Sequence, residues 1–239
     1  LDTPGTASDV SISGSMAYVA DSDGGLRIVN VDTSTPATPV LTERGFYTVT
    51  TQVSGVVAAG EYAFVADGYN GIAVIDVSDP AKPYEFYSYT TPDNSQDIDL
   101  VGDKLYVADG AGGLLIFKVT LPASIKHPLS EAWNLFSFNV EPISATVPLT
   151  DVQSILLSVD NQYSSVLGFD QRAFSYYPDL DISFSDLLEL DWRHGYWIKM
   201  NQASTLKIKG WPVDPTTPLA LSKGWNLVSY LPTEPISVT

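Results

Sequence analysis

Tyr18-Val19-Ala20-Asp21, Phe64-Val65-Ala66-Asp67 and Tyr106-Val107-Ala108-Asp109 are one motif written three times, 46 and 42 residues apart. A repeat of this period is one supersecondary unit that buries its apolar face only against a neighbour. Around each motif the same grammar recurs. A glycine stands four residues before the Tyr or Phe (Gly14, Gly60, Gly102), and another four residues after the Asp (Gly25, Gly71, Gly113). An apolar residue follows at once, Leu26, Ile72 or Leu114, and opens a run of β formers ending at Val31, Val77 or Val119. Val, Ile, Tyr and Phe at period two suit a pleated, largely buried strand. Each copy therefore reads as strand, hairpin, strand, Pro-rich turn and a weaker strand, as at residues 40–44 and 85–89.

Several short strands at a period near 42 fit a β-propeller blade, and three blades are too few to close a ring. In the hairpins, Asp21, Asp67 and Asp109 are expected to bond nearby amides, while Gly25, Gly71 and Gly113 accept positive φ. The run from Gly71 to Pro83, containing Asp76-Val77-Ser78-Asp79-Pro80-Ala81-Lys82-Pro83, resembles the LVIVD repeat family over roughly residues 1–120. Copy one departs from the pattern at Asn30 and copy three at Lys118. The resemblance implies β-propeller blades in a bacterial or archaeal surface protein. Leu1-Asp2-Thr3-Pro4-Gly5 matches Tyr89-Thr90-Thr91-Pro92-Asp93 ahead of copy three, and the chain begins without Met or a signal peptide. These features give the expectation of a piece or processed product of a longer protein.

Residues 122–128 read as a linker between the blades (1–121) and a second module (129–239). The module has its own echo. Leu129-Ser130-Glu131-Ala132-Trp133-Asn134-Leu135 returns 92 residues later as Leu221-Ser222-Lys223-Gly224-Trp225-Asn226-Leu227, and Glu141-Pro142-Ile143-Ser144 as Glu234-Pro235-Ile236-Ser237. The later segment reads as a closing strand or the start of a second copy. With Gly195-Tyr196-Trp197-Ile198-Lys199 between them, the set resembles a module near the C-termini of large bacterial and archaeal exported proteins. Helical stretches are expected at 151–157 and 183–190, the latter capped by Ser183 or Ser185. Trp133 and Trp225 share a strand face with Leu and Ser and are expected in the core. The expected fold is mainly β: an incomplete propeller of about three blades plus a small β-rich α+β module.

The charge balance narrows function. There are 28 acidic and 12 basic residues, a net charge of −16, with no basic run to hold phosphate. Nucleic acid is excluded as a partner, and no apolar stretch reaches the ~18 residues of a membrane span. With no cysteine, disulfides and thiolate sites are excluded. His127 and His194 stand apart, and nucleophile-elbow, P-loop and dinucleotide motifs are missing. Asp21 and Asp23 are weak calcium candidates; otherwise no cofactor is expected. Trp192, Trp197, Tyr176 and Tyr177 are a candidate glycan platform. The expectation is a non-enzymatic extracellular or cell-surface structural protein that binds a protein partner or itself through sheet edges and loops. The alternatives are a glycan-binding module and a fragment of a propeller hydrolase.

Overall fold

The computed structural model describes residues 1–34, 39–48, 52–144 and 147–229. It is mostly β, built from small antiparallel sheets, with no closed barrel among the described residues. The chain divides into two compact units, Leu1–Thr120 and Leu121–Thr239.

The first unit is a succession of sheets, each made by consecutive strands. Blade 1 holds β1 (Asp9–Ser13), β2 (Met16–Ala20), β3 (Leu26–Asp32) and β4 (Val40–Tyr47), hydrogen-bonded in that order. Blade 2 repeats the plan with β5 (Gly55–Ala59), β6 (Tyr62–Ala66), β7 (Ile72–Asp76) and β8 (Tyr84–Tyr89). Blade 3 has three strands: β9 (Asp97–Val101), β10 (Lys104–Ala108) and β11 (Leu114–Lys118). The β2–β3, β6–β7 and β10–β11 hairpins turn at the Asp-x-x-x-Gly loops, where the Asp N–H donates to the Gly carbonyl at 2.8–2.9 Å. Gly71 sits at φ +91°, and a Cβ there would collide with the Tyr89 carbonyl. No other residue satisfies both demands.

Period-two alternation gives each blade two faces. Tyr18, Ala20, Leu26 and Ile28 point from blade 1 toward blade 2, where they meet Val56, Ala63, Val65, Ala73 and Ile75 in one buried cluster. We call the face toward the following blade the front and the other the back. Backbone bridges join the hairpin loop of one blade to the lead of the next, Ser22 to Val53 and Gly68 to Ser95.

The second unit opens with β12 (Ala123–Leu129), so the expected linker is a strand. Its register partner is β19 (Ser204–Pro212), with Ile125 opposite Ile208 and His127 opposite Leu206. Pro128 suggested a break, but β12 is an edge strand, where a missing N–H leaves no ladder bond unmade. Next come β13 (Ala132–Phe136), β14 (Val140–Ser144), β15 (Val147–Pro148), the four-residue helix α1 (Val152–Ile155), β16 (Tyr163–Asp170), β17 (Arg172–Tyr176) and β18 (Tyr196–Met200). Two sheets, ordered β12-β19-β14-β15 and β13-β18-β16-β17, share one core that includes Phe136, Val140, Val166, Ile198 and Leu206. Asp151 caps α1 by accepting from the Ser154 N–H at 2.8 Å. The helix expected at 183–190 reduces to one 3-10 turn, Ile182–Phe184, capped by Asp181 in place of either serine. Leu187 and Leu190 are buried beyond it, fixed by the tertiary core rather than by helix propensity.

Candidate functional site

The three hairpin aspartates are buried, which a simple turn role does not require. Asp21 accepts from the Thr3 hydroxyl and, at 2.9 Å, from the Gly5 N–H. Asp109 accepts from the Asp93 N–H at 3.0 Å and the Ser95 hydroxyl at 2.9 Å. Gly5 and Asp93 each lie sixteen residues before their aspartate. The Asp therefore ties the lead segment of its blade onto the hairpin loop. Burial pushes the Asp109 carboxyl up, but hydrogen bonds from Thr91, Ser95 and Asp93 outweigh it and hold the group below the usual carboxylate range. Asp23 is exposed, whereas the oxygens of Asp21 serve Thr3 and Gly5. No cluster of three or more His, Asp or Glu able to hold a metal occurs among the described residues.

Two faces of the blade stack are open. Leu114 is 67% exposed, whereas its repeat counterpart Leu26 is 0% exposed. Ile116 is likewise exposed where Ile28 and Val74 are buried. By strand register, the blade 3 front runs in rows Asp97-Ala108-Leu114, Asp99-Tyr106-Ile116 and Val101-Lys104-Lys118. At the other end of the stack Val10 is 57% exposed, against 3% for Val56 at the same repeat position. The blade 1 back runs in rows Val10-Val19-Arg27-Phe46 and Ile12-Ala17-Val29-Glu43. Arg27 is held within its own blade, 3.4 Å from Glu43 and over the Phe46 ring at 4.7 Å. The repeat made these positions legible as strand residues, but nothing in one copy's sequence distinguishes a covered face from an open one.

In the second unit the aromatic residues fall differently from expectation. Trp133 and Leu135 of β13 point outward, in register with Lys199 and Trp197 of β18, while Phe136 faces the core. Trp133 is 46% exposed and Trp225 90%, so neither is a core residue. Period two placed them on one face without saying which face is inward. Of the glycan candidates, Trp197 is exposed and Tyr177 half-buried, whereas Trp192 and Tyr176 belong to the core. The Tyr176 hydroxyl accepts from the Gln153 amide at 2.8 Å, and the Arg193 guanidinium covers the Trp192 ring at 4.3 Å. An outward cleft of about 390 Å³ is lined by Leu167, Phe169, Ala173, Trp197, Trp225 and Leu227.

The echo is structural as well as sequential. Asn134 accepts from the Ser130 N–H and donates to the Ser130 and Ala132 carbonyls at 2.9, 2.8 and 3.1 Å; Asn226 repeats this with Ser222 and Gly224 at the same distances. Ala132 and Gly224 both take positive φ there. Residues 234–237, the continuation of the echo, lie outside the described residues. His194 is not isolated: its Nδ1 lies 2.7 Å from an Asp191 oxygen that also accepts from the Arg193 and His194 N–H groups, which closes a local turn. His127 faces Phe136, and burial lowers its pKa against an opposing hydrogen bond that its ring donates to the Ser137 backbone.

Small antiparallel sheets, repeated in chain order and packed front to back, define a β-propeller-like repeat protein. The repeats are LVIVD repeats: the family model of that description matches residues 4–46, 51–91 and 92–125. No curated protein matches the chain. Among solved structures, it is similar to one described as "Crystal structure of the computationally designed Ika4 protein", at 8% identity and a TM-score of 0.30, covering 49% of this chain and 94% of that one.

Proposed function

We propose that this is a non-enzymatic structural or interaction protein of the prokaryotic cell exterior, binding partners through the open faces and edges of its β-sheets. The observation that carries this reading is the exposure of Leu114 and Ile116 at positions that the same repeat buries in blades 1 and 2. Apolar side chains of this size, contiguous on one sheet face, mark contact surfaces in soluble proteins. The exterior setting is supported by the strongly acidic composition and by the two sequence resemblances. No helix among the described residues is long and apolar enough to cross a membrane. The test is retention on isolated envelopes of the producing cell. The chain is expected to sediment with them, and the double variant Leu114→Lys, Ile116→Lys to remain in the supernatant. Equal retention of both proteins contradicts the reading.

A second reading, glycan binding by the second unit, is favoured by the outward cleft between Trp197 and Trp225. Exposed indole faces stack on sugar rings through the same apolar and π contacts that join aromatic residues. Quenching of tryptophan fluorescence by soluble polysaccharide, lost in Trp197→Ala, supports it; a glycan array without a hit rejects it.

A further inference from the structure

We infer that the outer edge of blade 3 receives a β-strand from another protein, an extended segment with two adjacent acidic residues that meet Lys118 and the Tyr89 hydroxyl. This rests on the interaction reading above and names the edge and its partner. The groove is built by β8 of blade 2 and β11 of blade 3, both interior to the chain.

Blades 1 and 2 show what belongs there. In each, a fourth strand pairs antiparallel with the third, β4 on β3 and β8 on β7. The two fourth strands bulge at the same place and carry a glutamate beside the bulge, Glu43 opposite Val29 and Glu85 opposite Ile75. Glu85 reaches back to the preceding blade, where it accepts from the Tyr47 hydroxyl at 3.0 Å. Burial and this bond push the Tyr47 hydroxyl up to about 12, so it stays a donor at neutral pH. Tyr89 holds the same position in blade 2, opposite Ile72 as Tyr47 is opposite Leu26. Tyr89 and its neighbour Tyr87 are nonetheless exposed, and Tyr89 meets blade 3 through the Phe117 ring, 5.1 Å away. Among the described residues no fourth-strand glutamate reaches Tyr89, because β11 is the last strand of its sheet.

An edge strand presents a row of backbone groups ready to pair with another chain. From β11 the chain passes to β12, which pairs with β19 and not with β11. Tyr87 fits the lack of a returning turn. Blade 1 has Gly45 at that position, because the turn into β8 brings the Pro80 carbonyl where a Cβ would stand. A tyrosine there leaves no room for such a turn over blade 2, so the missing strand enters from elsewhere. The repeat also sets its chemistry. Asp76, the last residue of β7, accepts from the Tyr84 hydroxyl of β8 at 3.0 Å. Lys118 holds that position in β11 and is the register partner of Lys104. Two ammonium groups select an acidic residue at the place of Tyr84, next to a glutamate at the place of Glu85. Successive residues face opposite sides of a strand, so the first acid meets the lysines and the second meets Tyr89. The described strands of this chain are all paired within its own sheets, so the donor is a different polypeptide.

The experiment is fluorescence anisotropy of a labelled synthetic peptide, the sequence of residues 83–90 carrying Tyr84→Asp, titrated with the full chain at about 0.15 M salt. Saturable one-to-one binding is expected, with a Kd below about 1 mM. Lys118→Glu in the protein is expected to weaken this peptide at least about threefold, and a peptide with Tyr84→Lys to recover the loss on that variant. Tyr89→Phe is expected to weaken the peptide about tenfold and to leave its Glu85→Ala version unchanged, because hydroxyl and carboxylate act as a pair. Both altered side chains are exposed, so the far-UV circular dichroism spectra are expected to match that of the wild-type chain, which sediments alone as a monomer. No saturable binding, or binding indifferent to the charge swap, overturns the acceptor edge. A wild-type dimer that the peptide dissociates overturns the separate donor and gives the strand to a second copy. A peptide that fails to bind while envelopes still retain the chain removes this edge and leaves the interaction reading standing. Peptide binding without envelope retention supports the edge and removes envelope attachment alone.

Discussion

Asp109 shows why a hairpin residue is also an assembly residue. Its carboxylate holds the Asp93 N–H and the Ser95 hydroxyl, so the lead into β9 cannot leave the loop without stranding two donors. Asp109→Ala is expected to lower stability by about 1–3 kcal/mol in urea denaturation. The pH dependence has a fixed sign. A carboxyl held below its unfolded value near 3.9 contributes fully above that value, and the contribution disappears as the pH falls through the lowered one. Asp109→Asn should flatten this acid limb. His127 acts one window higher. Burial lowers its pKa, so the unfolded chain binds the extra proton first, and stability falls as the pH drops through about 6.5. His127→Phe is expected to remove that slope, read from unfolding midpoints at pH 5 to 8.

The strands of the first unit were legible because β formers, Gly and Asp recur at fixed offsets, and a repeat written three times averages out local ambiguity. The phase of alternation was less legible. Trp133 and Leu135 share a face with certainty, but only the inward turn of Phe136 and the Asn134 lock show that this face looks out. The strand β12 was missed because Ser-Ile-Lys-His-Pro has no clean period, and its pairing with β19 joins segments some eighty residues apart. By position it occupies the place that β4 and β8 hold in their blades, yet it pairs in the second unit. The candidate platform failed for a related reason: Tyr176 and Trp192 are aromatic in any environment, and only packing separates core from surface. The contrast is testable by thermal unfolding. Trp192→Ala is expected to cost about 3–5 kcal/mol as a core deletion. Trp225→Ala, which removes a 90% exposed ring, should stay within about 0.5 kcal/mol.

At the scale of the molecule, three LVIVD repeats form a stack in which the front of blade 1 packs on the back of blade 2. Backbone bridges recur between successive blades, Ser22 to Val53 and Gly68 to Ser95, so the repeat carries its own means of stacking. Burying a residue such as Leu114 contributes about 1.5–3 kcal/mol, and the open faces carry several of this kind. Co-sedimentation with isolated envelopes tests the open-face account most directly. The account predicts that the wild-type chain pellets, while Ile116→Lys, which charges a side chain exposed in this structure, stays in the supernatant with an unchanged far-UV circular dichroism spectrum. Equal retention of the two proteins would contradict it.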